Sequence, residues 1–296
     1  RFLQVEPTSR CNFTCGFCAG RAMPQTDLAP ATLDAALGMF PDLDHVELQG
    51  EGEPTLHPSF LSLVGAVRAR GVRVSFITNG SLLHEATVER LLDAGVEKVS
   101  VSIESADPAQ FQAIRGGRLP KVEAGIRRLL DARRARGLDR PVVGLSITAL
   151  ADTRDQLDAI LDLYERLGLD GGVTLQPLER KDDYAAHYDE ATRARTLDAE
   201  AADEVWIRFR ADRRIRAITE HRAPVEGFFD ALFEGWAPAS RRCPWLDRGL
   251  YVDRDGNVAP CCMIKDVPRF ALGKIGETDP AAILARRAAL RDELAR

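Results

Sequence analysis

The sequence predicts an α/β fold, because short strands alternate with amphipathic helices from residue 2 to about residue 177. The strand segments are rich in Val and Ile, the helical segments repeat apolar residues at helical spacing, and only a few residues connect them. This alternation is typical of a parallel sheet covered by helices. Six repeats favour either a doubly wound sheet or a partial (βα)6 TIM-like barrel, and in both folds ligands bind at the carboxyl ends of the strands.

The predicted strands are FLQVEP, HVELQ, VRVSFITN, EKVSVSIES, RPVVGLSITAL and GGVTLQPLE. The predicted helices between them are ATLDAALGMF, HPSFLSLVGAVRARG, SLLHEATVERLLDAG, LPKVEAGIRRLLDARRARG and TRDQLDAILDLYERLG. The C-terminal stretch GLYVDRDGNVAPCC predicts a β-hairpin that turns at Asp255-Gly256, and a last helix is expected at about 279–293. We therefore expect three segments: the barrel at 1–180, a charged helical segment that shapes the substrate site at 181–242, and a hairpin/helix extension at 243–296.

The composition is that of an ordinary globular protein, with 45% hydrophobic and 29% charged residues among 296. A net charge of −5 argues weakly against a nucleic-acid partner, and the Arg-rich run at 208–216 is interpreted as the solvated face of a helix. No apolar run is long enough to span a membrane, and no signal peptide begins the sequence. We expect a cytoplasmic protein with no nucleic-acid or membrane partner.

Three cysteines follow the first predicted strand at the spacing C-x3-C-x2-C: Cys11, Cys15 and Cys18. A structural zinc site needs four ligands, and no nearby Cys or His supplies a fourth before His45. A cubane iron–sulfur cluster held by three thiolates keeps one iron open for another ligand. Burial as three reduced cysteines is the alternative, and the polar loop around them disfavours it.

This cysteine loop resembles that of the radical S-adenosylmethionine (SAM) superfamily, whose fold is a partial (βα)6 barrel. The ends of later strands carry short motifs that resemble those of the family, in the family's order. GEGEP resembles the family's GGEP motif, which binds the methionine amino group of SAM, and TNG, SIES and QPL end later strands. The residues that the resemblance assigns to SAM are Gly50, Gly52, Glu53, Pro54, Thr78, Asn79, Ser102, Glu104, Gln176 and Leu178.

Each of these motifs also has an ordinary interpretation. The Gly and Pro residues of GEGEP and the Asn79-Gly80 pair are common in turns. Ser102 and Glu104 share one face of their strand, where an unpaired Glu is costly unless a ligand or partner meets it. These motifs occur in order, one at each strand end beside the cysteine loop. This order makes the resemblance to the radical SAM superfamily specific.

The resemblance implies a mechanism. SAM chelates the open iron of a [4Fe-4S] cluster, and an electron from a donor such as flavodoxin or ferredoxin cleaves its S–C5′ bond. The 5′-deoxyadenosyl radical that results abstracts a hydrogen atom from the substrate. The protein positions both partners and excludes water, while the cofactor supplies the chemistry.

A second cysteine group lies near the C-terminus at Cys243, Cys261 and Cys262. The spacing C-x12-G-x4-C resembles the start of SPASM and twitch extensions, which carry auxiliary iron–sulfur clusters. A zinc ribbon and a metal-free buried pair are the alternatives. Cys243 and Cys261 fit the ligand spacing, and because adjacent residues of a strand point to opposite faces, Cys262 is expected to turn away from a cluster that Cys261 binds. Cys262 is a third ligand, a buried hydrophobe, or a catalytic thiol that returns a hydrogen atom to a substrate radical.

The favoured function is a radical SAM oxidoreductase that dehydrogenates or epimerises a small molecule of the sugar or aminocyclitol kind. Only ten residues precede the cysteine loop, which favours a small molecule over a ribosomal peptide that needs a leader-recognition domain. Peptide modification (epimerisation or crosslinking) and a non-catalytic metal-binding module are the alternatives. Candidate substrate contacts in the helical segment are Tyr184, His187 and Tyr188.

Overall fold

The computed structural model describes residues 1–179, 188–220, 244–264 and 268–294. The chain divides into two compact units. Unit one contains residues 1–10, 23–76 and the C-terminal part from 226, and unit two contains residues 11–22 and 77–225. The predicted domain limits at 180 and 242 remain a prediction.

The strands alternate with helices as the sequence predicts. Along the described chain the strands are β1 Phe2–Val5, β2 His45–Leu48, β3 Arg73–Thr78, β4 Lys98–Ser102, β5 Val142–Ala149, β6 Val173–Pro177, β7 Gly249–Val252, β8 Asn257–Ala259 and β9 Gly273–Lys274. The α-helices are α1 Pro30–Met39, α2 Phe60–Ala69, α3 Glu85–Asp93, α4 Pro108–Arg115, α5 Leu119–Ala135, α6 Leu157–Leu167, α7 Glu190–Arg193, α8 Ala199–Ala211, α9 Arg213–Glu220, α10 Pro244–Arg248 and α11 Pro280–Leu294.

In unit one the strand order is β9-β8-β7-β1-β2-β3. β1, β2 and β3 pair in parallel, as expected of strands joined by helices. β7 also pairs in parallel with β1, with Phe2 opposite Gly249 and Val5 opposite Val252. The sequence did not predict this pairing, because nothing local in the hairpin indicates which edge it joins.

In unit two, β4, β5 and β6 lie side by side in parallel. α4 was not predicted, because it follows β4 within a segment that carries turn-forming residues. Asp107 caps its first turn by accepting from the backbone N–H of Gln110, and Gly116 ends it in the left-handed conformation. This unpredicted helix end packs against the cysteine loop.

The predicted C-terminal hairpin is confirmed. β7 and β8 pair antiparallel, and Gly256 adopts a φ of +85° at the turn. The Asp253 carboxylate accepts from the backbone N–H groups of Asp255 and Asn257 at 2.9 and 2.8 Å, which fixes the turn. β8 ends at Ala259, so Cys261 and Cys262 lie beyond the strand.

The Arg-rich run lies on helices that pair with acidic residues of α6 and the segment before it. Arg208 binds Asp155 at 2.6 Å, and Arg214 binds Asp162 at 2.8 Å, with the acidic partners exposed. These ion pairs confirm the interpretation of the run as a solvated face. Among the residues that the structure describes, no helix is both long and apolar enough to span a bilayer.

Candidate active site

The cysteine loop, residues 11–18, follows β1 as predicted. Cys11 is exposed, Cys18 is half-buried and Cys15 is buried. The backbone N–H of Phe13 donates to Sγ of Cys11 at 3.4 Å, and the N–H of Cys18 donates to the carbonyl oxygen of Cys15 at 3.3 Å. Hydrogen bonds to ligating sulfurs are among the features that set the potential of an iron–sulfur cluster.

Two asparagines hold the start of this loop in place. Nδ2 of Asn12 donates to Oγ of Ser81 at 2.9 Å, and Oδ1 of Asn12 accepts from Nδ2 of Asn79 at 2.9 Å. Nδ2 of Asn79 also lies 3.9 Å from Sγ of Cys11. A SAM contact for Asn79 remains a prediction, and the geometry gives this side chain a role in bracing the loop.

The turn after α4 packs directly against the cysteine loop. The carbonyl oxygen of Arg115 accepts from the backbone N–H of Thr14 at 2.9 Å. A Cβ on Gly116 would lie 2.0 Å from Oγ1 of Thr14, and a Cβ on Gly117 would lie 2.1 Å from the Phe13 ring. Larger residues therefore do not fit at this Arg-Gly-Gly turn. The sequence-based prediction missed it, although two glycines after a helix were a visible signal.

A buried ion pair lies beside Cys15. Nη1 of Arg115 donates to both carboxylate oxygens of Glu104, at 2.6 and 2.7 Å, and the two residues are 6% and 1% exposed. Burial raises the pKa of the Cys15 thiol to about 11, and the positive charge of Arg115 opposes that rise. Arg115 thus binds both oxygens of the Glu104 carboxylate. The predicted contact of Glu104 with SAM remains a prediction.

One N–H donor of the Arg115 guanidinium makes no hydrogen bond to the described residues. Its Nε is buried and has no hydrogen-bond partner in the described part of the chain. A buried positive group with a spare donor, next to a loop of three cysteines, suits a negatively charged group held by thiolates. The residues present therefore fit a thiolate-bound iron–sulfur cluster at this loop.

The GEGEP loop, residues 50–54, follows β2 and lies against the chain that follows β1. The backbone N–H of Gly52 donates to the carbonyl oxygen of Thr8 at 3.1 Å, and that of Glu53 donates to the carbonyl oxygen of Arg10 at 2.8 Å. A Cβ on Gly52 would lie 2.3 Å from the Thr8 carbonyl oxygen. Glycine at 52 is thus required by backbone packing within the protein itself.

The other residues of the GEGEP loop are largely committed to local contacts. Glu53 is buried, and its Oε1 accepts from the backbone N–H of Thr55 at the start of the 3-10 helix Pro54–Leu56. A Cβ on Gly50 would lie 2.2 Å from Cγ of Glu6. Contacts of these residues with SAM remain predictions.

The remaining residues predicted to bind SAM lie in unit two. Thr78 is buried, and its Oγ1 accepts from the backbone N–H of Gly80 at 3.0 Å. Ser102 is half-buried at the end of β4, Gln176 is exposed on β6, and Leu178 is buried just after β6. Their roles toward SAM remain predictions.

A hydrophobic group next to the cysteine loop includes one of its own residues. Its members are Phe17, Ile114, Leu150, Leu178 and Tyr188. Tyr188 is only 4% exposed, so it is neither on a polar helix surface nor free to reach solvent. Tyr184 and His187 lie outside the described residues. This group shields one side of the loop from water.

Of the second cysteine group, Cys243 lies outside the described residues. Cys261 and Cys262 are half-buried, and both pack against the same hydrophobic group of Phe2, Trp245, Tyr251 and Ala259. The expectation that these two adjacent thiols face opposite sides assumed a strand. It does not hold, because β8 has ended and Cys262 begins the 3-10 helix Cys262–Ile264.

No three His, Cys, Asp or Glu side chains within the described ranges converge tightly enough to hold one metal ion. In an iron–sulfur cubane each thiolate binds its own iron, so the sulfurs are spread around the cluster rather than around one ion.

Comparison with known proteins identifies the family. Residues 5–176 match the model of the radical SAM superfamily, and residues 243–294 match SPASM, an iron–sulfur cluster-binding domain. The chain therefore belongs to the radical SAM superfamily. It is an enzyme of the SPASM-bearing kind, and the two matched domains imply [4Fe-4S] clusters and SAM as its cofactors.

Several curated proteins are similar to the chain. It is 32% identical over 177 residues to the tungsten-containing aldehyde ferredoxin oxidoreductase cofactor-modifying protein of Pyrococcus furiosus, covering 57% of this chain and 49% of that protein. It is 31% identical over 214 residues to a probable GTP 3',8-cyclase of Sulfurisphaera tokodaii, covering 70% and 66%. It is 28% identical over 291 residues to a PqqA peptide cyclase of a Methylobacterium species, covering 93% and 70%. The chain spans about half to two thirds of the length of the first two.

Solved structures confirm the predicted fold class. The chain matches anSMEcpe with bound AdoMet and a Cp18Cys peptide with a TM-score of 0.68, at 17% identity, covering all of this chain and 83% of that one. It matches Streptococcus suis SuiB bound to S-adenosylmethionine with a TM-score of 0.67, at 16% identity, covering 98% and 67%. The α/β fold with parallel strands, a partial TIM-like barrel with a C-terminal extension, is the fold of these radical SAM enzymes.

Proposed function

We propose that this radical SAM enzyme removes a hydrogen atom from a carbon of a peptide, and that the cysteines of the SPASM segment would hold a cluster able to take up the electron that the substrate radical gives up as it loses a proton. The observation that carries the choice of peptide is the alignment with the PqqA peptide cyclase, which extends over 291 residues and 93% of the chain. The sugar or aminocyclitol substrate expected from the sequence receives no support from the curated relatives.

Different residues of this chain bind the cluster, position its loop and bind SAM in this proposal. Cys11, Cys15 and Cys18 hold the cluster that binds SAM, and the Asn12–Asn79 contact keeps their loop in place. The N–H groups of Glu51, Gly52 and Glu53 are bound within the protein, so backbone carbonyl groups of the GEGEP loop would accept from the methionine ammonium group of SAM. When bound, the cluster and SAM together supply the 5′-deoxyadenosyl radical that removes hydrogen from the substrate.

One side of the cysteine loop is buried, while Cys11 is exposed. Phe17 packs against the buried group that contains Leu178 and Tyr188, and Cys15 is only 7% exposed. A buried surface of this kind helps to keep water and oxygen away from a reactive radical, which would otherwise react with them. Supply of the electron by a flavodoxin or ferredoxin, and a cytoplasmic location, remain predictions.

A nucleotide is the second candidate substrate. A probable GTP 3',8-cyclase of Methanothermobacter marburgensis is 28% identical over 278 residues, covering 89% of this chain and 85% of that protein. This alignment covers slightly less of this chain than that of the peptide cyclase (89% against 93%) but more of the relative (85% against 70%), so an experiment must separate the two.

Deuterium transfer distinguishes the substrate classes. The anaerobically reconstituted enzyme is incubated with SAM and reductant and, in separate reactions, with a perdeuterated peptide mixture from cells or with perdeuterated GTP. The hydrogen donor places deuterium in 5′-deoxyadenosine, which mass spectrometry detects. We expect deuterium from the peptide mixture. Deuterium from GTP alone would overturn the peptide proposal in favour of the nucleotide.

A further inference from the structure

Arg254 lies in the turn of the C-terminal hairpin, between β7 and β8, and is only 9% exposed. Its Nη1 donates to Oε2 of Glu6 at 3.2 Å, and its Nε donates to Oγ1 of Thr26 at 3.0 Å. Glu6 directly follows β1 and is fully buried. A buried carboxylate is costly without a charged partner, and Arg254 is the partner that holds Glu6 in place.

The other oxygen of Glu6 reaches the GEGEP loop. Oε1 of Glu6 accepts from the backbone N–H of Glu51 at 2.7 Å, and Glu51 is itself 8% exposed. Gly50 leaves room for this contact, because a Cβ there would lie 2.2 Å from Cγ of Glu6. The two carboxylate oxygens of Glu6 therefore join the hairpin turn to the backbone of the loop.

The backbone strengthens the same connection. The N–H of Glu6 donates to the carbonyl oxygen of Val252 at 2.9 Å, immediately before the hairpin turn. β7 and β1 pair in parallel up to that point, from Phe2 opposite Gly249 to Val5 opposite Val252. Arg254 and Glu6 are therefore held at the same end of two paired strands, next to the GEGEP loop.

We propose that Arg254 is a positioning residue for SAM binding: it acts through Glu6 to fix the Glu51 amide and with it the GEGEP loop. The C-terminal extension then has a second task beside its cluster, which is to set the affinity for SAM. This inference rests on the proposed assignment of the GEGEP loop to SAM, and separate measurements test the positioning role and the loop assignment.

Amide hydrogen exchange tests the connection without any cofactor. Peptides that contain residue 51 are followed in wild type, Arg254→Gln and Glu6→Gln. Both variants should exchange the Glu51 amide about tenfold faster, because Arg254→Gln removes the cation that holds the Glu6 carboxylate, and Glu6→Gln leaves a neutral amide oxygen that Arg254 no longer holds by charge. The matched control is Arg287→Gln, since Arg287 is a buried arginine of the same unit that donates to the carbonyl oxygen of Gly249 at the start of β7. That variant should leave the amide unchanged.

Calorimetric SAM binding to the reconstituted protein is the second measurement. Arg254→Gln should weaken SAM binding about tenfold, Arg254→Lys should recover part of the affinity because it keeps the charge, and Arg287→Gln should bind like wild type. Gly52→Val reports on the loop itself, because its Cβ would lie 2.3 Å from the Thr8 carbonyl oxygen.

The outcomes separate the two ideas. If Arg254→Gln keeps both wild-type affinity and slow exchange, the positioning role is wrong, whether or not Gly52→Val loses SAM affinity. If Gly52→Val binds SAM normally, the loop assignment fails, and exchange of the Glu51 amide alone decides the positioning role. Equal effects of Arg254→Gln and Arg287→Gln would mean general destabilisation and would overturn the proposal. Should Arg254→Gln fail to fold, Glu6→Gln, which keeps the side-chain volume, decides the positioning role by the same two measurements.

Discussion

Arg115 holds both oxygens of the Glu104 carboxylate with one nitrogen, at 2.6 and 2.7 Å, in surroundings that leave the two side chains almost no contact with water. The pair lies beside Cys15. Removing one partner of a buried pair leaves the other charge uncompensated, which makes the two residues interdependent.

Arg115→Ala should therefore lower the free energy of unfolding of the cluster-free protein by about 3–5 kcal/mol. Chemical denaturation measures this loss. The control is Arg134→Ala: Arg134 binds Asp131 at 3.0 Å, the two side chains are 75% and 71% exposed, and such an exposed pair contributes about 0–1 kcal/mol. Equal losses in the two variants would show that burial of the Arg115–Glu104 pair has no special effect.

Gly116 should be essential for the cysteine loop rather than for the fold in general. Gly116→Ala adds a Cβ 2.0 Å from Oγ1 of Thr14, whereas Gly168, which also has a positive φ of 68°, has no neighbour within 4 Å. Both substitutions carry the left-handed strain of about 1–2 kcal/mol, so only the clash differs. We expect Gly116→Ala to bind less iron on reconstitution and Gly168→Ala to bind as much as wild type. Equal iron contents would contradict the packing argument.

The thiol of Cys15 should make stability depend on pH in the metal-free protein. Its folded pKa of about 11 lies above the ordinary value of 9.0, so the thiol stabilises the folded state fully below pH 9 and loses that effect as the pH rises through 11. A difference of two pKa units corresponds to about 2–3 kcal/mol. Buried Tyr251 has a pKa raised in the same sense, so wild type must be compared with Cys15→Ala. Chemical denaturation at a series of pH values gives the free energy of unfolding of both proteins. The difference in this free energy between wild type and Cys15→Ala should shrink between pH 9 and pH 11, and a difference independent of pH would refute the prediction.

Cys262 should be a cluster ligand rather than a hydrogen donor, because it packs on the same hydrophobic group as Cys261. Cys262→Ala should lose iron equivalent to one cluster, while the cluster at Cys11, Cys15 and Cys18 remains. Iron and sulfide counting measures this. Full iron content together with loss of an epimerised product, and solvent deuterium at carbon in wild type but not in the variant, would restore the hydrogen-donor role.

The parts of the molecule that could be predicted from the sequence are those whose signals are local. Alternating Val-rich strands and amphipathic helices were enough for β1 to β6, and Asp255-Gly256 was enough for the hairpin turn. The spacing of Cys11, Cys15 and Cys18 was enough to indicate the correct family, because a cluster loop is a short, continuous motif.

The contacts that hold the site depend on residues far apart in the sequence. Arg115 reaches Thr14, and Arg254 reaches Glu6 across 248 positions. No periodicity encodes such partners, because each pair meets only after the strands have paired. At Cys262 a local pattern gave a wrong prediction. Alternation along a strand predicted that its side chain faces away from that of Cys261, but the strand had already ended at Ala259.

The assignment on which the proposed function depends is that Cys11, Cys15 and Cys18 hold the cluster at which SAM is cleaved. It is tested by 5′-deoxyadenosine formation in anaerobically reconstituted wild type and in the triple Cys→Ala variant, each given SAM and dithionite. We expect product from wild type and none from the variant, which should keep its circular dichroism spectrum and the iron of the C-terminal cluster. Continued 5′-deoxyadenosine formation by the triple variant would show that the cluster lies elsewhere.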